Sequence, residues 1–486
     1  MRPVVTRDEM RAADAAALVT VSHETLVARA GTAVGLAALD MLSRAYGRRV
    51  VVLAGKGSNG ADGRVAAAFL AGRGALVTVI DAADAPDTLP VCDLIIDAAY
   101  GTGFHGARTY RAPSVAAGTG ASTLVLAVDL PSGLDADTGA APGQSKRAQR
   151  TVTFAALKPG LLQGDGPGLS GRVVVADIGI DIESPRAAVM EDDDIGSLLP
   201  ARTRSGHKWS TALGVAAGSV GMEGSAILCA RGAMAAGAGM VRLGTPGSPS
   251  GPWPPEAVRM HLGQRSWATD FLKGTEKCRA IVIGPGLGTD AEVGEEIRAV
   301  IANAEVPLVI DADGLTALGD CGEARQLLSR RKAPTVLTPH DGEYARLAGE
   351  PPGDDRLAAA RRLSSALGVV VLVKGPLTAV ATPDEGPTDV LLSSAGVTAL
   401  ATAGSGDVLS GMIGAFLARG MAPQPAAALA AHVHGRAAGR GQSEGLVAGD
   451  LPHLVAEFLS ATGASAGAAA GAGARAARAA RAQAHG

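Results

Sequence analysis

The sequence predicts an α/β fold in two domains, and three observations carry that reading. Short apolar runs ending in Gly or Asp recur with helix-length segments between them, as buried parallel strands do. The 486 residues exceed one ordinary core. A composition of 47% hydrophobic residues with only 3% aromatics and 66 glycines calls for cores of Val, Leu, Ile and Ala closed by tight loops.

The elements follow in order. From Thr6 to about Tyr46 the pattern is helical: Thr6 can cap, Asp8 and Glu9 suit a first turn, and alanines dominate afterwards. Strands are expected at Arg49–Ala54, Leu76–Asp81, Asp93–Asp97 and Leu124–Asp129, with Thr151–Leu157 and Arg172–Ile178 extending the sheet. Around 181–208 the rhythm breaks. The run Glu191–Asp194 reads as a solvated helix start, and the boundary is placed near residue 200. The second domain, 201–461, restarts with strands at Leu213–Ala217, Ala280–Gly284, Pro307–Asp311, Thr335–Thr338 and Val369–Lys374, and closes with helices at 423–439 and 450–461. The Ala/Gly/Arg tract 462–486 has no core-forming residues and is expected to be disordered.

A formal charge of −3 offers no field to recruit nucleic acid or a lipid surface, so neither is expected as a partner and small molecules are. Cys92, Cys229, Cys278 and Cys321 lie far apart and read as buried free thiols. The N-terminus lacks an apolar stretch long enough for a signal peptide, and no uninterrupted run approaches a membrane span, so a cytoplasmic protein is expected.

Gly55-Lys56-Gly57-Ser58-Asn59-Gly60 follows a strand and opens a helix, and Asp81 ends the next strand, which satisfies a dinucleotide-binding fingerprint. An NAD-dependent oxidoreductase and a ligand-free tight turn are both open on that motif. Against the first, Asp62 stands at the helix mouth, where its charge would repel a pyrophosphate. Asn59, Asp97, Asp129 and Ser132 should gather beyond the strand ends as hard oxygen ligands. A second turn, Ala403-Gly404-Ser405-Gly406-Asp407-Val408-Leu409, can aim backbone N–H groups and a helix N-terminus at a phosphoryl group, with Asp407 beside it to take a proton.

In order and spacing, Lys56 to Gly63, Asp97 to Gly103, Val128 to Gly133 and Thr153 to Gly160 resemble the epimerase domain of the bifunctional NAD(P)H-hydrate repair enzymes. The resemblance implies a Rossmann-like N-terminal sheet with flanking helices and interconversion of the R and S hydrates, NADHX and NADPHX. It implies a potassium ion held by Asn59, Asp97 and Ser132. It also implies a hydrate pocket of Ser58, Asn59, Gly60, Ala61, Asp62, Gly101, Thr102, Gly103, Phe104, His105, Gly106, Ala107 and Asp129. Asp129 and Lys158 are the candidate proton-transfer residues, Lys158 being readable equally as a surface lysine before Pro159. The family pattern usually has two asparagines and two glycines before the Asp; here Ser58 and Ala61 replace one of each.

Gly218 to Ala226, Gly284 to Gly288, Thr338 to Glu343, Lys374 to Thr378 and Ala403 to Asp407 resemble the dehydratase domain of the same enzymes, a ribokinase-like α/β fold, so the likeness covers about residues 1–460. It implies transfer of a phosphoryl group from ADP to the C6 hydroxyl of the S hydrate, elimination of phosphate, and release of AMP, with Mg²⁺ on the nucleotide. Asp407 would be the base, an ordinary carboxylate pKa of ~3.9 being adequate. Lys374, Gly375, Pro376, Leu377, Thr378 and Gly406 are carried over as nucleotide contacts, and Ser225, Gly286 and His340 as hydrate contacts. Without the family, His340 reads as a hydrogen-bonded loop histidine, and Asp313, paired with Asp311 at a strand end, as a helix cap. Assembly into homo-oligomers is a further expectation. A ribokinase-like vitamin-precursor kinase explains only the second half.

Overall fold

The structure, a computed structural model, describes residues 1–104, 109–116, 123–202, 204–248 and 253–462. These divide into two compact units, Arg2–Ala187 and the chain from Ala188 onward.

In the first unit, β1 (Arg49–Ala54), β2 (Leu76–Asp81), β3 (Leu94–Ala98), β4 (Leu124–Val128), β5 (Arg150–Phe154) and β6 (Arg172–Ala176) form a parallel sheet in the order β2-β1-β3-β4-β5-β6. The strand order reverses between β1 and β3, which places a ligand crevice beyond their carboxyl ends. The helical stretch expected from Thr6 to Tyr46 is two helices, α1 (Arg7–Ala17) and α2 (His23–Leu42). Thr6 and Glu9 form a reciprocal cap on α1, and Ser22, in extended backbone, accepts from the Thr25 N–H and restarts the chain as α2. By length and composition α2 is apolar enough to cross a bilayer; here Leu26, Ala30, Val34, Ala38 and Leu42 bury one stripe of it in the core of this unit. α3 (Ser58–Ala71) follows the first glycine loop and packs on α2.

The second unit contains β7 (Ala212–Ala216), β8 (Met240–Gly244), β9 (Val258–Met260), β10 (Ala280–Ile283), β11 (Leu308–Ile310), β12 (Thr335–Leu337), β13 (Val370–Val373), β14 (Thr378–Ala381) and β15 (Val390–Ser393). They run in the order β15-β14-β13-β12-β11-β10-β7-β8-β9, parallel except where β14 pairs antiparallel with both neighbours. β8, β9, β14 and β15 were not expected; Arg242 and Arg259 interrupt the apolar runs of the first two, and all four are only 3–5 residues long. Helices α4 (Glu223–Ala235), α5 (Asp341–Ala348), α6 (Ser405–Ala418) and α7 (Pro423–Ala438) include two that are nearly all core: α6 from Val408 to its end, and the alanine-rich α7.

The run Glu191–Asp194 is not simply solvated. Asp192 pairs with Arg436 at 2.6 Å and with His432 at 2.9 Å, and Asp194 is buried. Cys92, Cys229 and Cys278 are buried free thiols, while Cys321 is half-buried. The proposed tail falls, beyond Thr462, outside the described residues.

Candidate functional sites

A cavity of about 600 Å³ opens at the carboxyl edge of the first sheet, lined by Ser58, Asn59, Asp62, Gly101, Thr102, Gly103, Phe104, Asp129 and Lys158 among the residues expected there. Gly60 and Ala61 are not in its lining. Gly60 backs onto Gly55, whose carbonyl oxygen would stand 1.9 Å from a Cβ, and the Ala61 N–H is spent on the Gly57 carbonyl. His105, Gly106 and Ala107 lie outside the described residues.

Lys158 is no surface lysine: it is 1% exposed. Its ammonium donates to Asp129 Oδ1 at 2.8 Å, Thr153 Oγ1 at 2.8 Å and the Phe154 carbonyl at 3.0 Å, so all of its N–H donors are spent. Thr153 also donates to Asp129 Oδ1 at 2.9 Å. Among the described residues Asp129 Oδ2 accepts only the Thr102 N–H, at 3.3 Å, which leaves it as the oxygen that can exchange a proton. Asp129 itself sits in left-handed backbone at φ 65°, a strained conformation typical of functional positions. Burial, with the Asp129 charge adding to it, pushes Asp62 up to about 8. At neutral pH it is therefore protonated, and the repulsion expected at this helix mouth is absent. Asp14 of α1, which the sequence did not single out, also lines the cavity, and burial raises its pKa.

Behind the cavity, Asp97 is 2% exposed and receives the Ser132 hydroxyl on Oδ1 at 2.6 Å and the Ser132 N–H on Oδ2 at 3.0 Å. Burial raises its pKa. Among the described residues the Asn59 side-chain nitrogen is buried without a hydrogen-bond partner. Among the described residues no three His, Cys, Asp or Glu side chains cluster as metal ligands, so a cation here would rest on mixed oxygen donors.

In the second unit, Asp311 follows β11 and Lys374 follows β13, and Lys374 Nζ lies 2.6 Å from Asp311 Oδ1. Gly406, in the first turn of α6, rests on this pair: a Cβ there would stand 3.4 Å from the ammonium. Asp407 is next in sequence. Burial raises its pKa to about 6, opposed by a hydrogen bond from Ser225 and assisted by Asp311. The expectation of an ordinary carboxylate is corrected; the low-polarity site disfavours the charge. Gly286 packs directly on Ser225, with 2.8 Å between a notional Cβ and the serine Cβ. Ser225, Gly286, Lys374, Gly406 and Asp407 thus form one cluster.

His340 caps α5: its Nδ1 accepts from the Gly342 and Glu343 N–H groups at 3.0 and 3.2 Å, leaving only Nε2 for other work. The adjoining Asp341 accepts from Arg356 at 2.9 Å, and Arg356 also donates to the carbonyls of Leu377, at 3.1 Å, and Lys374. Arg356, which sequence reasoning missed, straps the Lys374–Thr378 loop in place. Within that loop Pro376 is exposed, Leu377 is turned into the core at 1% exposure, and Thr378 Oγ1 donates to the Gly375 carbonyl at 3.3 Å. Asp313 is not a cap; it accepts the Gly288 N–H at 2.8 Å and fastens the Gly284–Gly288 turn.

Each unit therefore places a carboxylate at the carboxyl edge of its parallel strands, the organisation of a two-domain α/β enzyme acting on small molecules. Residues 213–461 match the family model for NAD(P)H-hydrate dehydratase, and 23–92 and 80–160 match that for the YjeF-related protein N-terminus. The chain is 40% identical over 459 residues to the bifunctional NAD(P)H-hydrate repair enzyme Nnr of Mycobacterium tuberculosis H37Rv, covering 88% of this chain and 92% of that protein. To its namesake in Escherichia coli K12 it is 32% identical over 489 residues, covering 92% and 91%. A ribokinase-like superfamily protein from Enterococcus faecalis V583 shares the second fold, with TM-score 0.50 and 22% identity over 58% of this chain and 98% of that one. The chain belongs to the bifunctional NAD(P)H-hydrate repair enzymes, with an epimerase unit followed by a dehydratase unit.

Proposed function

We propose that the first unit interconverts the R and S epimers of NADHX and NADPHX, and that the second uses ADP to return the S epimer to NADH or NADPH with release of AMP and phosphate. The observation that carries the second reaction is Asp407 at the mouth of α6, one residue from the Gly406 that rests on Lys374. Asp407 takes the proton of the C6 hydroxyl as the phosphoryl group arrives, and Lys374 with the backbone of the turn meets the nucleotide phosphates. Elimination of phosphate then restores the reduced ring. Mg²⁺ is expected on the nucleotide, needing few protein ligands.

For epimerisation, Asp129 Oδ2 is the proton acceptor, its carboxylate held in place by the Lys158 Nζ hydrogen bond to the other oxygen. Lys158 acts through Asp129, since it has no donor left to offer a substrate. Asp62 supplies the neutral acid in the same cavity. The buried Asp97 carboxylate, the Ser132 hydroxyl and the Asn59 side-chain oxygen are the donors that would hold K⁺, the Asn59 nitrogen facing away from it.

The test is to supply hydrated NADH with ADP and magnesium and follow the return of reduced-nicotinamide absorbance. Recovery that consumes both epimers is expected; ATP-dependent phosphorylation of an unrelated alcohol alone would move the protein to the kinase class.

A further inference from the structure

Asp311 is a carboxylate with 1% exposure and no assigned part in the reaction. Its two oxygens are both committed, Oδ1 to Lys374 Nζ at 2.6 Å and Oδ2 to Ser410 Oγ at 2.6 Å. Ser410, one turn after Asp407 on α6, is fully buried and is a donor to Asp311 from below. The backbone that presents Asp311 is itself constrained. Ala312 takes φ 51°, and Gly284, at φ 124°, lies so close that a Cβ would come within 1.9 Å of the Asp311 carbonyl oxygen. A strained residue beside a buried charge marks a position that the surrounding structure fixes for a purpose.

Lys374 differs from its counterpart Lys158 in the other unit. Its side chain is 21% exposed, and the hydrogen bond to Asp311 is the one its ammonium makes among the described residues. Two N–H donors are unspent. They lie at the turn where a Cβ on Gly406 would stand 3.4 Å from Nζ. His434 of α7 is 6% exposed and among the described residues its Nε2 has no hydrogen-bond partner; burial, with the Lys374 charge adding to it, pushes its pKa down to about 4. A neutral imidazole there leaves Lys374 as the cation of the cluster.

We propose that Asp311, braced by Ser410, is the positioning residue for Lys374, holding its ammonium against the turn at Gly406 so that an incoming nucleotide phosphate meets a cation already in place. An unanchored lysine would reach the same phosphate only after ordering its flexible side chain, and that order is supplied in advance. The inference rests on Lys374 being a phosphate contact in the ADP-dependent reaction.

The test is a double-mutant cycle on the full chain, measuring kcat and KM for ADP in dehydration of the S hydrate. Lys374→Met should raise the ADP KM by about 10- to 100-fold, the range for a lost charge-assisted hydrogen bond. Asp311→Asn should weaken kcat/KM for ADP by at least about tenfold, and adding it to Lys374→Met should cost less than about a further twofold, because its effect passes through the lysine. Should Asp311→Asn fail to fold, Ser410→Ala gives the same reading: a loss of about threefold in the parent and none in the Lys374→Met background. A urea unfolding transition of the second unit like that of the parent reports that each variant is folded. Multiplicative effects of Asp311→Asn and Lys374→Met, or a Lys374→Met protein with unchanged ADP KM, would overturn the proposal while leaving ADP-dependent repair standing. If the parent shows no ADP-dependent dehydration, the functional reading fails instead.

Discussion

Replacing Asp407 by Asn should remove activity and at the same time stabilise the second unit. In the folded protein burial moves this carboxyl from 3.8 to about 6, so its ionisation works against folding. The displacement corresponds to about 3 kcal/mol at 1.36 kcal/mol per pKa unit. The direction follows from proton counting. Below 3.8 the carboxyl is protonated in both states and contributes nothing; between 3.8 and about 6 the unfolded chain ionises first and stability falls; above about 6 the whole penalty is present. Asparagine keeps the acceptor for Ser225 and carries no charge, so the variant should gain up to about 3 kcal/mol at pH 8 and nothing at pH 3.5. Urea melts of both proteins across that range, followed through the unfolding transition of the second unit, measure the difference. Dehydration should fall by ~10²–10⁴-fold, and the wild-type rate should decline as pH drops through about 6. An asparagine variant that is less stable than the parent at pH 8, or a stability difference independent of pH, would refute the account of this carboxyl.

Three further outcomes are expected. Asp129→Ala should reduce epimer exchange by at least ~10²-fold while ADP-dependent repair of the S epimer continues, leaving the R epimer to accumulate; loss of both activities in folded protein would contradict the division of labour. The same change strands the buried Lys158 ammonium and should cost about 3–5 kcal/mol, much of it recovered on adding Lys158→Met, as thermal or urea unfolding of the first unit would show. Epimerisation should be faster in potassium than in lithium at equal ionic strength, and Asp97→Asn should abolish that difference, measured as the initial rate of epimer exchange.

Much of both sites was legible because each glycine turn lies next in sequence to the residues it presents. Asn59 and Asp62 follow Gly57 at the head of α3, and Asp407 follows Gly404 at the head of α6. What escaped the sequence depends on partners brought together by folding. Asp311 meets Lys374 across 63 positions, and Arg356 reaches back 15 residues to Asp341 and forward 21 to the Leu377 carbonyl. Lys158 could be read as exposed because nothing in its local sequence shows that Asp129 and Thr153 enclose it. The pKa of Asp407 was misjudged for the same reason: desolvation is a property of the packed interior and is not written in neighbouring letters. β8 and β9 escaped because Arg242 and Arg259 interrupt their apolar runs.

The burial of α6 limits how the second site can diversify. Every residue from Val408 to Ala418 is enclosed, so no face of that helix is free to accept a new side chain without disturbing its neighbours. Variation that alters the reaction is therefore confined to the few letters before Val408 and to the loops facing them, while the rod behind them stays fixed like the barrel behind an interchangeable nib.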